Sequence, residues 1–488
     1  MEQFLLLFVI FFPALCALLM LALPTERAKG TLLVVALAAE AIAVCALLPR
    51  RGAELALFSM TPALTARLRM DAVSRVFMVI AAFGFLFSGI YALRYMSHSE
   101  RRGSFYSFYL LSLGALMGMD LSANLITMYL FFEMITLLSM PLVLHDRTPA
   151  AVRAALKYLF YSIAGAFLAL CAIFFLSRYA GTLDFVPGGS LTAQRAAGHE
   201  TLLRVVIFLG VVGFGAKAGM YPLHGWLPDA HPAAPAPASA VLSGIIAKAG
   251  VLAIIRVVFF SVGADFVRGT WVQTAWLSLA LLTVLMGSMM AFREQQFKKR
   301  LAYSSISQIS YILVGLFFLT PEAAYGGLLH LLFHAVIKIC LFLVAGSFIF
   351  NTGKHNVDDF LAYGRSMPVT LWSFTLASLA LVGIPPASGF VSKWYLAAGA
   401  LESEMHVFNW LAPVILLISA LLTAGYLLPI TIRGFFPGKD AVIPERNDEG
   451  GPVMWLPIVI LAALTILLGV FSGALAGPFT AMAQSLFG

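Results

Sequence analysis

Hydrophobic residues run on along this chain in long, nearly unbroken stretches, and polar ones collect in short gaps between them. A bilayer crossing takes about 20 mostly apolar residues. Fourteen runs meet that length, near 3–23, 31–48, 74–94, 105–121, 124–144, 155–177, 202–222, 239–260, 271–291, 301–319, 324–350, 369–396, 410–434 and 453–478. The pattern predicts an all-α membrane protein of about fourteen transmembrane helices. No connection has room for a soluble catalytic domain. The longest, near 49–73 and 178–201, have room for a hairpin or a short surface helix. The first run opens on Met1-Glu2-Gln3, without the positive start of a signal peptide, and is expected to be a retained helix.

Composition agrees: 61% of residues are hydrophobic and only 11% charged, against about 25% charged in soluble domains. The net charge of +8 sits mostly in loops, which signals membrane orientation rather than nucleic-acid binding. Arg101 and Arg102 follow run three; Arg147, Arg153 and Lys157 follow run five; Arg293, Lys298, Lys299 and Arg300 follow run nine. The loops after runs four, ten and twelve carry no Lys or Arg. Odd-numbered loops are therefore expected in the cytoplasm and both termini outside, in a bacterial or archaeal cytoplasmic membrane. Arg50, Arg51, Arg67 and Arg69, after run two, count the other way. Cys16, Cys45, Cys171 and Cys340 form no CxxC pair, which argues against iron–sulfur and thiolate-zinc sites. With no phosphate loop or cofactor fingerprint either, no cofactor is expected, and electron transfer falls to another subunit.

Two runs are broken alike. One reads Lys217-Ala-Gly-Met-Tyr-Pro222 and the other Gly383-Ile-Pro385-Pro386-Ala-Ser-Gly-Phe-Val-Ser-Lys393. They lie five runs apart, and an odd repeat length inserts the second copy upside down, as in many transporters. The expected units are helices four to eight (105–260) and nine to thirteen (271–434), flanked by 1–104 and 453–488.

An ionised group at mid-bilayer costs about 2.5–3.5 kcal/mol on insertion scales, so each one needs a partner, a changed protonation state or a function. Glu133 lies well inside run five. Burial and a nearby ammonium act on a carboxyl in opposite senses, so the position of a cation switches its protonation; a static ion pair is the competing reading. Lys217 adjoins the first break, with snorkelling to the interface as its alternative. Lys248 sits mid-run among small residues. His330, His334 and Lys338, spaced by four, share one helix face spanning ~12 Å. A histidine, with its pKa of about 6.5, relays protons at cellular pH. Zinc is disfavoured there, because the run lacks a zincin glutamate and lysine is a poor ligand; no metal is expected. Lys393 follows the second break and suits either the end of a proton row or an interface anchor. Few acidic residues lie in the runs besides Glu133.

With these residues in place, the chain resembles the antiporter-like subunit family: proton-pumping subunits of respiratory complex I, large subunits of Mrp-type antiporters, and counterparts in membrane-bound hydrogenases. The motifs that carry the resemblance span roughly 70–430: Phe132-Glu133, the stretch from Lys217 through Asp229 and His231 to Ser239, Lys299 to Gln308, the His330/His334/Lys338 helix, and Gly383 to Lys393. The resemblance implies two inverted five-helix units with helices seven and twelve broken. It also implies a Glu133–Lys217 pair, a central relay at Lys248 continued by His330, His334 and Lys338, and a terminal lysine at Lys393. Gln296 stands where the family usually has Asp. The chain stops soon after run fourteen, without a long lateral helix, which places it nearer the middle complex I subunit or the Mrp D subunit. Thr352-Gly-Lys354 and Gly364-Arg-Ser-Met-Pro368 look most like the Mrp and hydrogenase branches.

The leading expectation is a proton-translocating subunit with other membrane subunits, antiporter-like paralogues and a peripheral redox module as partners. A sodium/proton antiporter module and a non-conducting scaffold are the alternatives.

Overall fold

The computed structural model describes residues 1–488 except 51, 62–63, 439–440 and 447; Arg51 thus lies outside the described residues. The helices are α1 (Glu2–Ala22), α2 (Glu26–Leu47), α3 (Ala72–Tyr95), α4 (Arg102–Asp120), α5 (Leu125–Val143), α6 (Pro149–Tyr179) and α7 (Glu200–Ala218). They continue as α8 (Ala236–Val262), α9 (Trp271–Arg293), α10 (Phe297–Phe317) and α11 (Pro321–Thr352). After these come α12 in two pieces (Pro368–Val382 and Ser388–Leu401), α13 (Val407–Phe435) and α14 (Pro452–Val470). Their starts follow sequence signals: Thr25, Asp71, Asn124, Thr148 and Thr320 each accept an amide of the first turn. Pro149 and Pro321 occupy first-turn positions where no amide is needed.

Among the described residues, eleven helices are long and apolar enough to cross a membrane. α4 and α10 have the length but more polar residues, and α12 is divided into pieces of 15 and 14 residues. The single run read over 369–396 is therefore interrupted, because Gly383 takes φ 92° and ends the first piece.

α8 is buried throughout, and α11 nearly so; these two form the centre. Small residues permit that density. A Cβ at Gly250 would stand 2.6 Å from the Phe214 carbonyl oxygen of α7, and one at Gly244 would stand 2.4 Å from Ile339 of α11. On the outside, Phe160, Phe167 and Phe174 line an exposed stripe of α6, as expected of a surface that meets lipid or another subunit.

The connection after α2 is a hairpin of β1 (Glu54–Thr61) and β2 (Leu64–Arg69), paired antiparallel from Glu54↔Arg69 to Thr61↔Leu64. It is tied to the end of α4: the Arg69 amide donates to Leu121 O (2.7 Å) and the Ala123 amide to Arg67 O (3.0 Å).

Candidate functional site

The first break ends α7 immediately after Lys217. Gly219 takes φ 78°, which lets the Met220 amide reach Gly215 O at 2.8 Å. Lys217 is fully buried. Its Nζ donates to Thr136 Oγ1 (2.5 Å) and Tyr158 OH (3.1 Å), and lies 5.3 and 5.2 Å from the ring centres of Phe132 and Tyr158. Tyr158 OH continues to Ser139 Oγ at 2.8 Å. Thr136 and Ser139 project from the buried face of α5 one turn apart, as i, i+3 spacing requires. Glu133 does not join them. It is half-buried, beside exposed Leu130, Met134 and Leu137, with no ion pair to Lys217 within 4 Å. Its charge acts on Lys217 from the rim of the chain.

Lys248 lies just after a π-helical stretch, Leu242–Ile246, in α8. The wider turn frees carbonyls, and Lys248 Nζ donates to Gly244 O (2.6 Å) and Ser243 O (3.3 Å). π-bulges of this kind are frequent at functional sites. Ser243 Oγ meets Ser305 Oγ of α10 at 2.6 Å.

On α11, the His330 and His334 rings stack with centres 5.8 Å apart, and both are buried. His330 Nδ1 shares a 2.9 Å hydrogen bond with Ser392 Oγ, while His330 Nε2 and both His334 nitrogens have no hydrogen-bond partner among the described residues. Lys338 donates to Leu301 O (3.0 Å) and to Ser304 Oγ. Lys393, on the second piece of α12, reaches back to the last carbonyls of the first piece, Leu381 O (2.6 Å) and Val382 O (2.9 Å). That is where the helix dipole favours a cation. Pro222 follows the end of α7, and Pro385 and Pro386 lie between the α12 pieces.

The structure thus brings His330, His334 and Lys393 together and sets Lys217, Lys248 and Lys338 in separate hydroxyl and carbonyl pockets. Sequence reasoning missed Tyr311. Its ring stacks on His330 (5.3 Å) and underlies the Lys393 ammonium (5.2 Å), bridging α11 and α12. A tyrosine in an apolar run gives no signal of its own. Also missed were buried Glu40, Asp120 and Arg256, and the burial of Lys298, which the sequence places in a basic loop, although a charge within or beside an apolar run is the signal that found Glu133.

A protein-family model described as "NADH:quinone oxidoreductase/Mrp antiporter, TM" matches residues 122–423. The chain is 32% identical over 479 residues to NADH-quinone oxidoreductase subunit N of Desulforudis audaxviator (strain MP104C), covering 94% of each. It is 31% identical over 435 residues to hydrogenase-4 component B of Escherichia coli (strain K12), covering 84% of this chain and 63% of that protein. Its fold matches a chain in the structure of the Mrp complex from Dietzia sp. DQ12-45-1b, with TM-score 0.84 at 23% identity over 100% of this chain and 99% of the other.

Proposed function

Because the chain belongs to the NADH:quinone oxidoreductase/Mrp antiporter transmembrane family, we propose that it conducts protons along Glu133, Lys217, Lys248, His334, His330 and Lys393, with Lys338 as a side branch. Its relatives are antiporter-like membrane subunits of complex I, hydrogenase and Mrp assemblies. One observation carries the reading. Lys217, Lys248 and Lys338 are fully buried and Lys393 is half-buried, and none of the four has a carboxylate within 4 Å among the described residues. An uncompensated buried ammonium costs several kcal/mol, too much for a device that only holds helices together. Hydroxyl and carbonyl partners suit both the charged and the neutral amine.

The fourteen-helix count and the two inverted units, 105–260 and 271–434, belong to the same proposal. α7 and the first piece of α12 each end on a left-handed glycine, Gly219 and Gly383, followed by proline. Both termini face outward from a bacterial or archaeal cytoplasmic membrane in this reading. Arg67 and Arg69, which count against that orientation, are held by Asp184 (3.3 Å) and Phe185 O (2.6 Å) rather than lying free in a loop. The half-buried Glu133 suits a neighbouring membrane subunit, which would complete its surroundings and through which a redox module or an ion gradient would act.

The test is proton pumping in inside-out vesicles holding the native complex, comparing wild type with Lys217→Met and Glu133→Gln. Pumping is expected to collapse in both while the complex assembles. Intact pumping in both variants would return the chain to a scaffold role.

A further inference from the structure

A second polar constellation lies off this row, at the hairpin end of the bundle. Asp120 is the last residue of α4; it is 1% exposed, and neither carboxyl oxygen has a hydrogen bond among the described residues. Arg256, also 1% exposed, opens a second π-helical stretch of α8, Arg256–Val262. Its Nη1 and Nη2 donate to the two Asp71 oxygens at 2.5 and 3.0 Å, and its guanidinium carbon lies 5.0 and 4.9 Å from the Phe185 and Phe260 ring centres. Arg256 Nε is buried with no acceptor. Three residues past Asp120, the Ala123 carbonyl accepts the Phe185 amide at 2.9 Å, and Arg256 lies over that Phe185 ring, so the unfilled donor and the unfilled acid share one corner of the bundle.

The constellation faces two ways. Inward, α4 packs against Lys248–Ile255, the part of α8 that carries the central lysine. From 248 to 256 the helix advances ~12 Å at 1.5 Å per residue. Outward, Arg256 rests on the buried Phe185 ring, and the adjoining Asp184 lines an open cavity of about 530 Å³ together with Thr65, Arg67, Asn124 and Thr182. The hairpin that walls this cavity runs straight into Asp71.

We infer that Asp120 is a proton-binding carboxyl linking Lys248 to the hairpin-side cavity, and that Arg256 is the counter-charge waiting for it. This rests on Lys248 carrying protons. A buried carboxylate without hydrogen bonds costs several kcal/mol, so Asp120 holds its proton while Arg256 is engaged with Asp71. When Asp120 releases the proton, the free Nε–H and the guanidinium charge stabilise the carboxylate, and water from the cavity accepts the proton. The O–H bond of Asp120 breaks and an O–H bond of hydronium forms, without any redox partner. The next proton from Lys248 resets the acid.

Asp120→Asn and Asp120→Glu in the native complex test this, with Lys248→Met alongside. Infrared difference spectra of the wild-type complex should contain a protonated-carboxyl stretch that is absent from Asp120→Asn and shifted in Asp120→Glu. Pumping should be lost in Asp120→Asn and partly restored in Asp120→Glu, with assembly on native gels unchanged. Wild-type pumping by Asp120→Asn, or an unaltered carboxyl band, overturns the inference even if Lys248→Met is dead. Should Lys248→Met pump normally, the reading of the central row has failed instead. Loss of assembly in Asp120→Asn leaves Asp120→Glu to decide by its band and its pumping.

Discussion

Replacing Arg256 by Met removes one half of an ion pair whose geometry allows its worth to be bounded. The Arg256 side chain is 1% exposed and Asp71 25%, and the pair is bidentate at 2.5 and 3.0 Å. Removing one partner of a buried pair typically costs about 3–5 kcal/mol. The partial exposure of Asp71 puts the expected loss at the lower end, about 3 kcal/mol, including the cation–π contacts. Burial pushes the Asp71 carboxyl up, but the Arg256 charge and hydrogen bonds, with the Ser74 amide and hydroxyl, hold it below the usual carboxylate range. A folded-state pKa below the unfolded value of about 3.9 contributes stability that is complete above the unfolded value and drains away as pH falls through the folded one. Thermal unfolding of the detergent-solubilised protein should therefore weaken below roughly pH 4 in the wild type, and this acid slope should flatten in Arg256→Met. Asp71→Asn/Arg256→Met should lose less than the sum of the single variants, with a coupling of about 2 kcal/mol, inside the usual 0.5–3 kcal/mol range for contacting pairs. Additive losses, or an unchanged acid slope in Arg256→Met, would refute the bidentate pair as a stabilising unit.

Gly389→Ala should abolish assembly, because a Cβ there would stand 1.9 Å from the Ala380 carbonyl oxygen, whereas Gly473→Ala, with nothing within 4 Å, should be silent on native gels. Tyr311→Phe keeps the ring beneath Lys393 and loses the hydroxyl with its 2.8 Å bond to Leu416 O, a net cost of about 0.5–1.5 kcal/mol per bond. It should pump nearly as well as wild type, while Tyr311→Leu should pump poorly. Equal pumping by both variants would dismiss the bridging role of the ring.

The long apolar runs made the helical bundle legible, because lipid leaves no other solution for so many uncharged stretches. The breaks were legible too, since Gly219, Pro222, Gly383, Pro385 and Pro386 act locally on the backbone. What pairs with what was not. Glu133 and Lys217 were expected to be partners, but the ammonium is satisfied by Thr136 and Tyr158, and Glu133 turns to the rim. Which face of α5 is buried depends on α4 and α6, and no spacing within α5 records that. The π-bulge before Lys248 was equally hidden, because Leu242–Ile246 reads as ordinary helix. Asp120 escaped because it sits at a run's end, where a charge looks like a cap or a loop residue.

The two broken helices hold their lysines by different means, and this bears on how a row with so few acids is controlled. Lys393 rests on Leu381 O and Val382 O, the negative end of the first α12 piece. Its cation is stabilised by partial charges that are fixed in place, worth about 0.3–1 kcal/mol at an exposed terminus and up to ~2 kcal/mol when partly buried. Lys217 also sits at a helix end, but the Trp226 indole donates to Ala216 O at 2.8 Å, and the ammonium turns to two hydroxyls instead. Hydroxyls rotate and serve as donor or acceptor, so they impose no preference of comparable size on the amine. Glu133 acts on Lys217 from the half-buried rim of the chain. In the proposed pathway, the proton on Lys217 is governed by whatever faces Glu133, and the proton on Lys393 by its own helix. Control in that pathway enters at α5 from a neighbouring subunit, and the second half responds through α8 and the stacked histidines.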